Sequence, residues 1–268
     1  MSKALILDYL KRLRLSTIAK HYERLAEEAL ANQATFYEYL CCLLEQEVES
    51  RDVNNRKRRI AEAKFPTLKT LDSFNFNEIP TLDKSLVLKL SKGEYFPQRE
   101  NIIFIGGQGT GKTHLATALG IQACHQGRRV RFFSTADLIH QLLEAREEKE
   151  LLKLQQQLLR FDLLILDELG MLDSSMNYSQ EGSALLFQVI SARYERLSTL
   201  ITTNLDFEEW GGVFGSKKLT AALLDRLTHR CHIVEANGES YRFKESVRRK
   251  KTVKAKDGSK EKVAAVSP

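Results

Sequence analysis

The sequence predicts an α/β protein built on a five-stranded parallel sheet and preceded by a small all-α region, and three observations carry that prediction. Between residues 101 and 235, five short apolar runs are separated by amphipathic stretches, the pattern of a parallel sheet whose strands are joined by crossover helices. The first run leads directly into a glycine-rich segment, Gly106–Thr113, which opens a helical stretch. Residues 1–64 carry helical spacing.

Taken in order, Ser16 is expected to cap a helix with the stripe Ile18, Tyr22, Leu25 and Ala29, and Thr35 to cap another with Phe36, Leu40, Leu43 and Val48. That second helix should end near Phe65, because Pro66 disfavours the helical conformation in the residue before it. Residues 66–100 hold Pro66, Pro80, Gly93 and Pro97 and read as a linker with short helical pieces. The five expected strands are Asn101–Ile105, Val130–Ser134, Leu163–Asp167, Leu200–Thr203 and Cys231–Glu235, with helices such as His114–His125 and Glu181–Arg196 between them. From about residue 248 the chain is poor in apolar residues and is expected to be disordered. The expected organisation is a helical N-terminal domain (1–65), the linker (66–100), an α/β domain (101–247) and a basic tail (248–268).

At 268 residues and 43% hydrophobic content the chain has ample material for a packed core. No apolar run reaches the roughly 18 residues of a membrane span, and charges interrupt the apolar N-terminus, so no membrane association and a cytoplasmic location are expected. Cys41, Cys42, Cys124 and Cys231 lack metal-binding or disulfide-framework spacing. The net charge of +6 is uneven: residues 241–268 hold ten Lys/Arg against three Asp/Glu, and residues 51–64 hold six against two. Localised positive charge of this kind suits a polyanion, through counterion release, although a solvated surface would look the same.

Chemistry concentrates after the first strand. In GGQGTGKT the glycines let the backbone curl so that its N–H groups face phosphates, and the helix N-terminus adds its partial positive charge. Gly106, Gly107, Gln108, Gly109, Thr110, Gly111, Lys112, Thr113 and the following His114 are the expected nucleotide contacts. Lys112 would bridge the β- and γ-phosphates of ATP, and Thr113 would offer its hydroxyl to Mg²⁺. The run LLILDEL places Asp167 and Glu168 at the carboxyl edge of the sheet, where open α/β sheets collect ligands. Asp167 would serve Mg²⁺, and Glu168 would orient or deprotonate the attacking water. Asn204, at the end of the fourth strand, looks like the sensor-1 asparagine of AAA+ ATPases. In those proteins an arginine placed like Arg226 or Arg230, in AALLDRLTHR, reaches the ATP of a neighbouring subunit; an intrachain ion pair is the alternative for Arg226. Arg242, in GESYRFK, would approach phosphate from within the subunit. Together these features make the expected fold an AAA+ P-loop NTPase core.

The strings RRIAEAKFP, KTLDSFNF, GTGKTHLA, ALGIQAC, RVRFFSTADLI, LLILDELG, ALLFQVISARYER, TTNLDFEEW, LLDRLTHRCHIV and GESYRFK are similar to those of the IstB-like family. These are ATP-binding helpers of bacterial insertion sequences, in the DnaA/DnaC branch of AAA+ ATPases. The resemblance covers nearly the whole chain. It implies a homo-oligomer with ATP at subunit interfaces, assembled on double-stranded DNA with little sequence preference, that recruits the transposase of the same element. Arg51, Arg56, Lys57, Arg58 and Arg59 are the expected DNA contacts. A DnaC-like loader of a replicative helicase, an architectural DNA-binding protein and a small-molecule kinase are the alternatives. The chain departs from the family at Gly107 and Gln108, where many relatives carry proline, and in the segment 171–182. It is also expected to lack a full C-terminal lid domain.

Overall fold

The computed structural model describes residues 3–170, 179–238 and 240. The chain divides into two compact units, residues 1–59 and 60–268.

The described residues of the first unit are helical apart from short connections at 13–15 and 32–35. The unit comprises α1 (Lys3–Arg12), α2 (Ser16–Ala31) and the part of α3 (Phe36–Ala63) that runs to Arg59. Thr35 caps α3 as expected and does so reciprocally: Glu38 N–H donates to its hydroxyl at 3.3 Å, while Thr35 N–H donates to the Glu38 carboxylate at 2.7 Å. Ser16 is not a cap. It is the first residue of α2, and the N–H groups of Thr17 and Ile18 donate to the carboxylate of Glu47, 2.8 and 3.1 Å away on α3. The cap is thus a buried side chain far along the sequence, which no local pattern announces. Ile18, Leu25 and Leu43 form the small core, with Tyr22, Tyr39 and Cys42 packed around it. Of the expected inward face of α3 only Leu43 is buried; Phe36, Leu40 and Val48 are 93%, 52% and 58% exposed. The burying face is rotated because Glu47 and Tyr39 point at α2, where Tyr39 donates to the carbonyl of Tyr22.

Burial pushes the Glu47 carboxyl up in pKa, but the amides of Ile18 and Thr17 and the guanidinium of Arg51 outweigh it and hold the group below the ordinary carboxylate value. A carboxylate with a depressed folded pKa contributes stability that is complete above its unfolded pKa and lost as pH falls through the folded one. Glu47→Gln is therefore expected to cost roughly 1–3 kcal/mol at neutral pH and to remove the part of the acid sensitivity that sets in below about pH 4. Hydrogen exchange of the Thr17 and Ile18 amides, followed against pH in both proteins, checks this. Equal protection of those amides in the variant would rule it out.

The second unit carries the sheet. It begins with the last turn of α3, whose Ala63 is fully buried, and continues through two short 3₁₀ turns, Leu71–Ser73 and Phe76–Glu78. Next come α4 (Lys84–Ser91) and α5 (Tyr95–Gln98). Ile79, Leu82, Val87, Leu90 and Tyr95 from this stretch are core residues. Strands β1 (Asn101–Ile105), β2 (Val130–Ser134), β3 (Leu163–Leu169), β4 (Ser198–Thr203) and β5 (Cys231–Glu235) form one sheet in the order β2-β3-β4-β1-β5, with every pairing parallel. Between the strands run α6 (Lys112–His125), α7 (Thr135–Glu147), α8 (Leu151–Leu158), α9 (Gln180–Arg193), α10 (Trp210–Phe214) and α11 (Lys217–Thr228).

Successive strand residues face opposite sides of a sheet. Ile102, Phe104, Leu163, Ile165 and Leu200 accordingly pack with α6, and Ile103, Leu164, Leu166 and Ile201 pack with α7, α9 and α11. The strands are apolar on both faces because helices cover both. Two strands run longer than their apolar runs. β4 begins at Ser198 because the Arg193 guanidinium, 1% exposed, donates to Ser198 O and Thr199 Oγ1 as well as to Leu158 O and Phe161 O. β3 continues through Asp167 and Glu168 to Leu169 across a register shift. Among the described residues no helix is long and apolar enough to cross a membrane.

Candidate nucleotide-binding and catalytic site

The carboxyl edges of β1, β3 and β4 open into a cavity of about 690 Å³, within the range of small-ligand sites. Gln108 to His114 form its floor, Glu168, Thr202, Thr203 and Asn204 one wall, and residues of the 66–79 segment the other. Gly106 leaves β1 with φ +155, and a Cβ there would lie 2.2 Å from the carbonyl oxygen of Ala236. Gly111 caps α6 in the left-handed region (φ +86), and its bare Cα admits the Phe74 ring, 2.7 Å from where a Cβ would sit. Gly107 needs no such freedom: its φ is not positive, and a Cβ would meet only Thr110 Cγ2 at 3.8 Å. A side chain at this position is therefore compatible with the space around the loop.

Lys112 Nζ donates to the carbonyls of Gly106 and Gly107, each at 2.6 Å, so the ammonium is held over the loop it belongs to. Thr110 Oγ1 donates to Gly107 O at 2.9 Å and tightens the same turn. His114 lines the cavity, but its Nε2 engages Thr70 O at 2.9 Å and Ser73 Oγ at 3.2 Å, and its ring meets Phe74 edge-on. Burial is the main influence lowering its pKa, which favours the neutral ring that this packing uses. The side chain ties the 66–79 segment to α6 rather than reaching forward into the phosphate loop.

Asp167 is buried at the tip of β3. Its Oδ1 accepts the hydroxyl protons of Thr113 at 3.0 Å and Thr202 at 2.6 Å, and its carbonyl accepts from Thr135 Oγ1 at 2.9 Å. Burial pushes the carboxyl up in pKa, against the two hydroxyls that favour the anion, and the net direction is upward. Thr113 and Asp167 thus bring hard oxygen donors together beside the phosphate loop, which is the donor chemistry Mg²⁺ prefers. Glu168 is exposed on the cavity wall, and its backbone adopts φ +59, a region that residues other than Gly, Asn and Asp seldom enter. Asn204 also faces the cavity, and its amide oxygen is buried without a hydrogen-bond partner among the described residues. A buried acceptor left in that state is accounted for when a water or ligand supplies the donor.

The remaining expected residues lie elsewhere. Arg226 on α11 donates to Ser191 Oγ, and its guanidinium lies 4.8 Å over the Phe187 ring, both on α9. Among the described residues its partners are thus a hydroxyl and a ring rather than a carboxylate such as Asp225. Arg230 is exposed and makes one long bond, 3.4 Å, to Gln98 O. In the first unit, Arg51 pairs with Glu47 at 2.8 Å and donates to Arg14 O, whereas Arg56, Lys57 and Arg58 are exposed and Arg59 is half-buried. At about 100° per residue the four consecutive basic side chains encircle α3 instead of forming one stripe. Arg242, residues 171–178 and the tail 248–268 lie outside the described residues. Local sequence does not single out Thr202 or Phe74. The string ITTN is the only trace of the former, and an aromatic residue in a polar loop the only trace of the latter.

A protein-family model described as IstB-like ATP binding protein matches residues 8–249. The chain is 39% identical over 236 residues to an insertion sequence IS21 putative ATP-binding protein of Pseudomonas aeruginosa, covering 88% of each chain. It is 36% identical over 243 residues to that of IS5376 from Geobacillus stearothermophilus, covering 91% of this chain and 95% of the relative. Among solved structures, AMPPCP-bound DnaA from Aquifex aeolicus superposes with a TM-score of 0.52 at 22% identity, over 65% of this chain and 51% of that one. DnaI superposes with a TM-score of 0.50 at 19% identity, over 62% and 90%. These two likenesses concern the fold alone: the parallel sheet and its helices resemble those of DnaA and DnaI.

Proposed function

This chain belongs to the IstB-like ATP-binding protein family, and from that premise we propose that it is a Mg²⁺-dependent ATPase that assembles on double-stranded DNA and assists the transposase of an insertion sequence. One observation carries the enzymatic part: a single cavity gathers the glycine-rich loop, the Glu168 carboxylate and the amide oxygen of Asn204, which is buried with no partner among the described residues. In this reading the loop amides and Lys112 hold the phosphates of ATP. Thr113 and Asp167 would hold Mg²⁺, which spreads the charge of the phosphate oxygens when bound. Glu168 orients the attacking water and takes its proton, and Asn204 donates to or accepts from that water without adding charge beside phosphate.

Among the described residues lining the cavity, Lys69 and Lys112 are the lysines and none is an arginine, which supports completion of the site by an arginine of a neighbouring copy. Of the two candidates Arg226 is already engaged on α9, so it must leave Phe187 and Ser191 to act in trans, whereas Arg230 is exposed. Mixtures of Glu168→Gln subunits with Arg226→Ala or with Arg230→Ala subunits distinguish them. Turnover regained with neither mixture would remove the shared-site reading.

For DNA, the support is the basic run Arg56–Arg59 together with the curated relatives' insertion-sequence origin. Contacts to phosphate position a protein without reading sequence. ATP turnover by the full chain is expected to rise with double-stranded DNA of any sequence. Replacing Arg56, Lys57, Arg58 and Arg59 with alanine is expected to weaken DNA binding by about 10-fold or more at moderate salt. It should also flatten the salt dependence by about one unit of slope for each phosphate that is no longer neutralised. Filter binding over a salt series measures both. Unchanged affinity and slope would assign the run to another role.

A further inference from the structure

Along the edge shared by β3 and β4, the pairing Leu166 with Ile201 is followed by Leu169 with Thr203. Three steps on β3 match two on β4, so Asp167 and Glu168 together oppose Thr202, which is a β-bulge. Regular pleating would send neighbouring side chains to opposite faces of the sheet. The bulge instead leaves Asp167 against the Thr113 hydroxyl and Glu168 on the cavity wall.

A bulge interrupts the ladder, and here the Glu168 N–H is satisfied by a side chain, donating to Thr202 Oγ1 at 2.9 Å. That same hydroxyl gives its proton to Asp167 Oδ1 at 2.6 Å. One group, 1% exposed, thereby directs its donor to one acidic residue and an acceptor to the next. The left-handed conformation at Glu168 persists only where its surroundings over-determine it. The neighbouring Thr203 closes the bulge by donating to Leu169 O at 2.9 Å, and it accepts from Leu205 N–H at 3.1 Å as the chain turns through Asn204.

We propose that Thr202 is a positioning residue for hydrolysis, its hydroxyl locking Glu168 into the left-handed bulge from which the carboxylate meets the attacking water. The inference rests on the reading that Glu168 serves ATP hydrolysis. Valine fills the volume of threonine in this strand but makes neither hydrogen bond, whereas serine keeps both.

The test is steady-state ATP turnover and nucleotide affinity of the full chain carrying Thr202→Val, Thr202→Ser, Glu168→Gln, or Thr202→Val with Glu168→Gln. Thr202→Val is expected to bind ATP within about threefold of wild type and to lose about 10- to 100-fold in kcat, part of what a misplaced general base forfeits. Thr202→Ser should recover turnover to within about fivefold, since the hydroxyl returns. In the Glu168→Gln background the valine should cost less than about threefold, because both changes act through one carboxylate. The loss should persist at saturating Mg²⁺, which separates this route from one through Asp167. Full activity of Thr202→Val, additive losses in the double variant, or restoration by Mg²⁺ would each overturn the proposal. Should Thr202→Val fail to fold, Thr202→Cys replaces it: the weakly donating thiol is expected to fall below serine, and activity equal to wild type overturns the inference. A wild-type chain that binds ATP without turning it over would sink the hydrolytic reading and this inference with it, whereas intact turnover in Thr202→Val sinks this inference alone.

Discussion

Lys112→Ala is expected to abolish ATP binding at concentrations where the wild type saturates, with affinity falling about 100-fold or more. The ammonium is the one cation that the described cavity floor directs at the loop, and a charge-assisted hydrogen bond contributes roughly 1.5–3 kcal/mol. Losing two such bonds to phosphate corresponds to about two or more powers of ten in the dissociation constant. The structure adds that Lys112 Nζ sits 2.6 Å from the carbonyls of Gly106 and Gly107. Those carbonyls are relieved of their partner when the lysine turns toward a phosphate, so the exchange is between two sets of good acceptors and the net gain comes from the phosphate charge. A fluorescent ATP analogue titrated into both proteins measures the effect. Thermal unfolding in the absence of nucleotide serves as the control, because both bonds lie in a part-buried or exposed setting and their loss should move Tm little. Affinity within about threefold of wild type would mean that the loop does not bind phosphate in the manner proposed.

Glu168→Gln separates binding from chemistry. The amide has the same shape as the carboxylate, and the backbone N–H that bonds to Thr202 is untouched, so the left-handed bulge and the position of Asp167 should survive. What is lost is the capacity to take a proton, which for a general base is worth about 10²- to 10⁴-fold. ATP affinity should stay within about threefold, since a general base contributes in the transition state rather than in the bound state. Single-turnover hydrolysis of radiolabelled ATP, run beside an equilibrium binding titration, reads the two quantities apart. If turnover is unchanged, water activation belongs to another group. If binding collapses with it, Glu168 holds nucleotide or metal rather than water.

Much of the sheet is legible in the sequence because its signals are local. Asn101–Ile105, Val130–Ser134 and Cys231–Glu235 are bounded in the structure where their apolar runs end, and the glycine-rich loop is marked by glycines within eight residues of one another. The strands that differ do so where a distant residue supplies what the local sequence lacks. Ser198 and Thr199 look too polar to open a buried strand until Arg193 is seen to bond both. Glu168 looks like a strand terminus, yet Thr202, 34 residues away, lets β3 continue past it. The helical unit follows the same division: the reciprocal Thr35–Glu38 cap is readable at a spacing of three residues, whereas Glu47 reaches the start of α2 from 29 residues away.

By itself, then, the sequence determined the parallel α/β architecture, the position of the glycine-rich loop and the identity of the two acidic residues at the strand tip. The tertiary structure alone decided how those residues are held: Asp167 between two threonine hydroxyls, Glu168 in a left-handed bulge, Phe74 against the bare Cα of Gly111, and Arg226 turned onto α9. The reason is one of range. Apolar periodicity and backbone freedom are properties of a few consecutive residues, but a hydroxyl becomes a clamp only when folding brings it within hydrogen-bond distance of a partner on another strand.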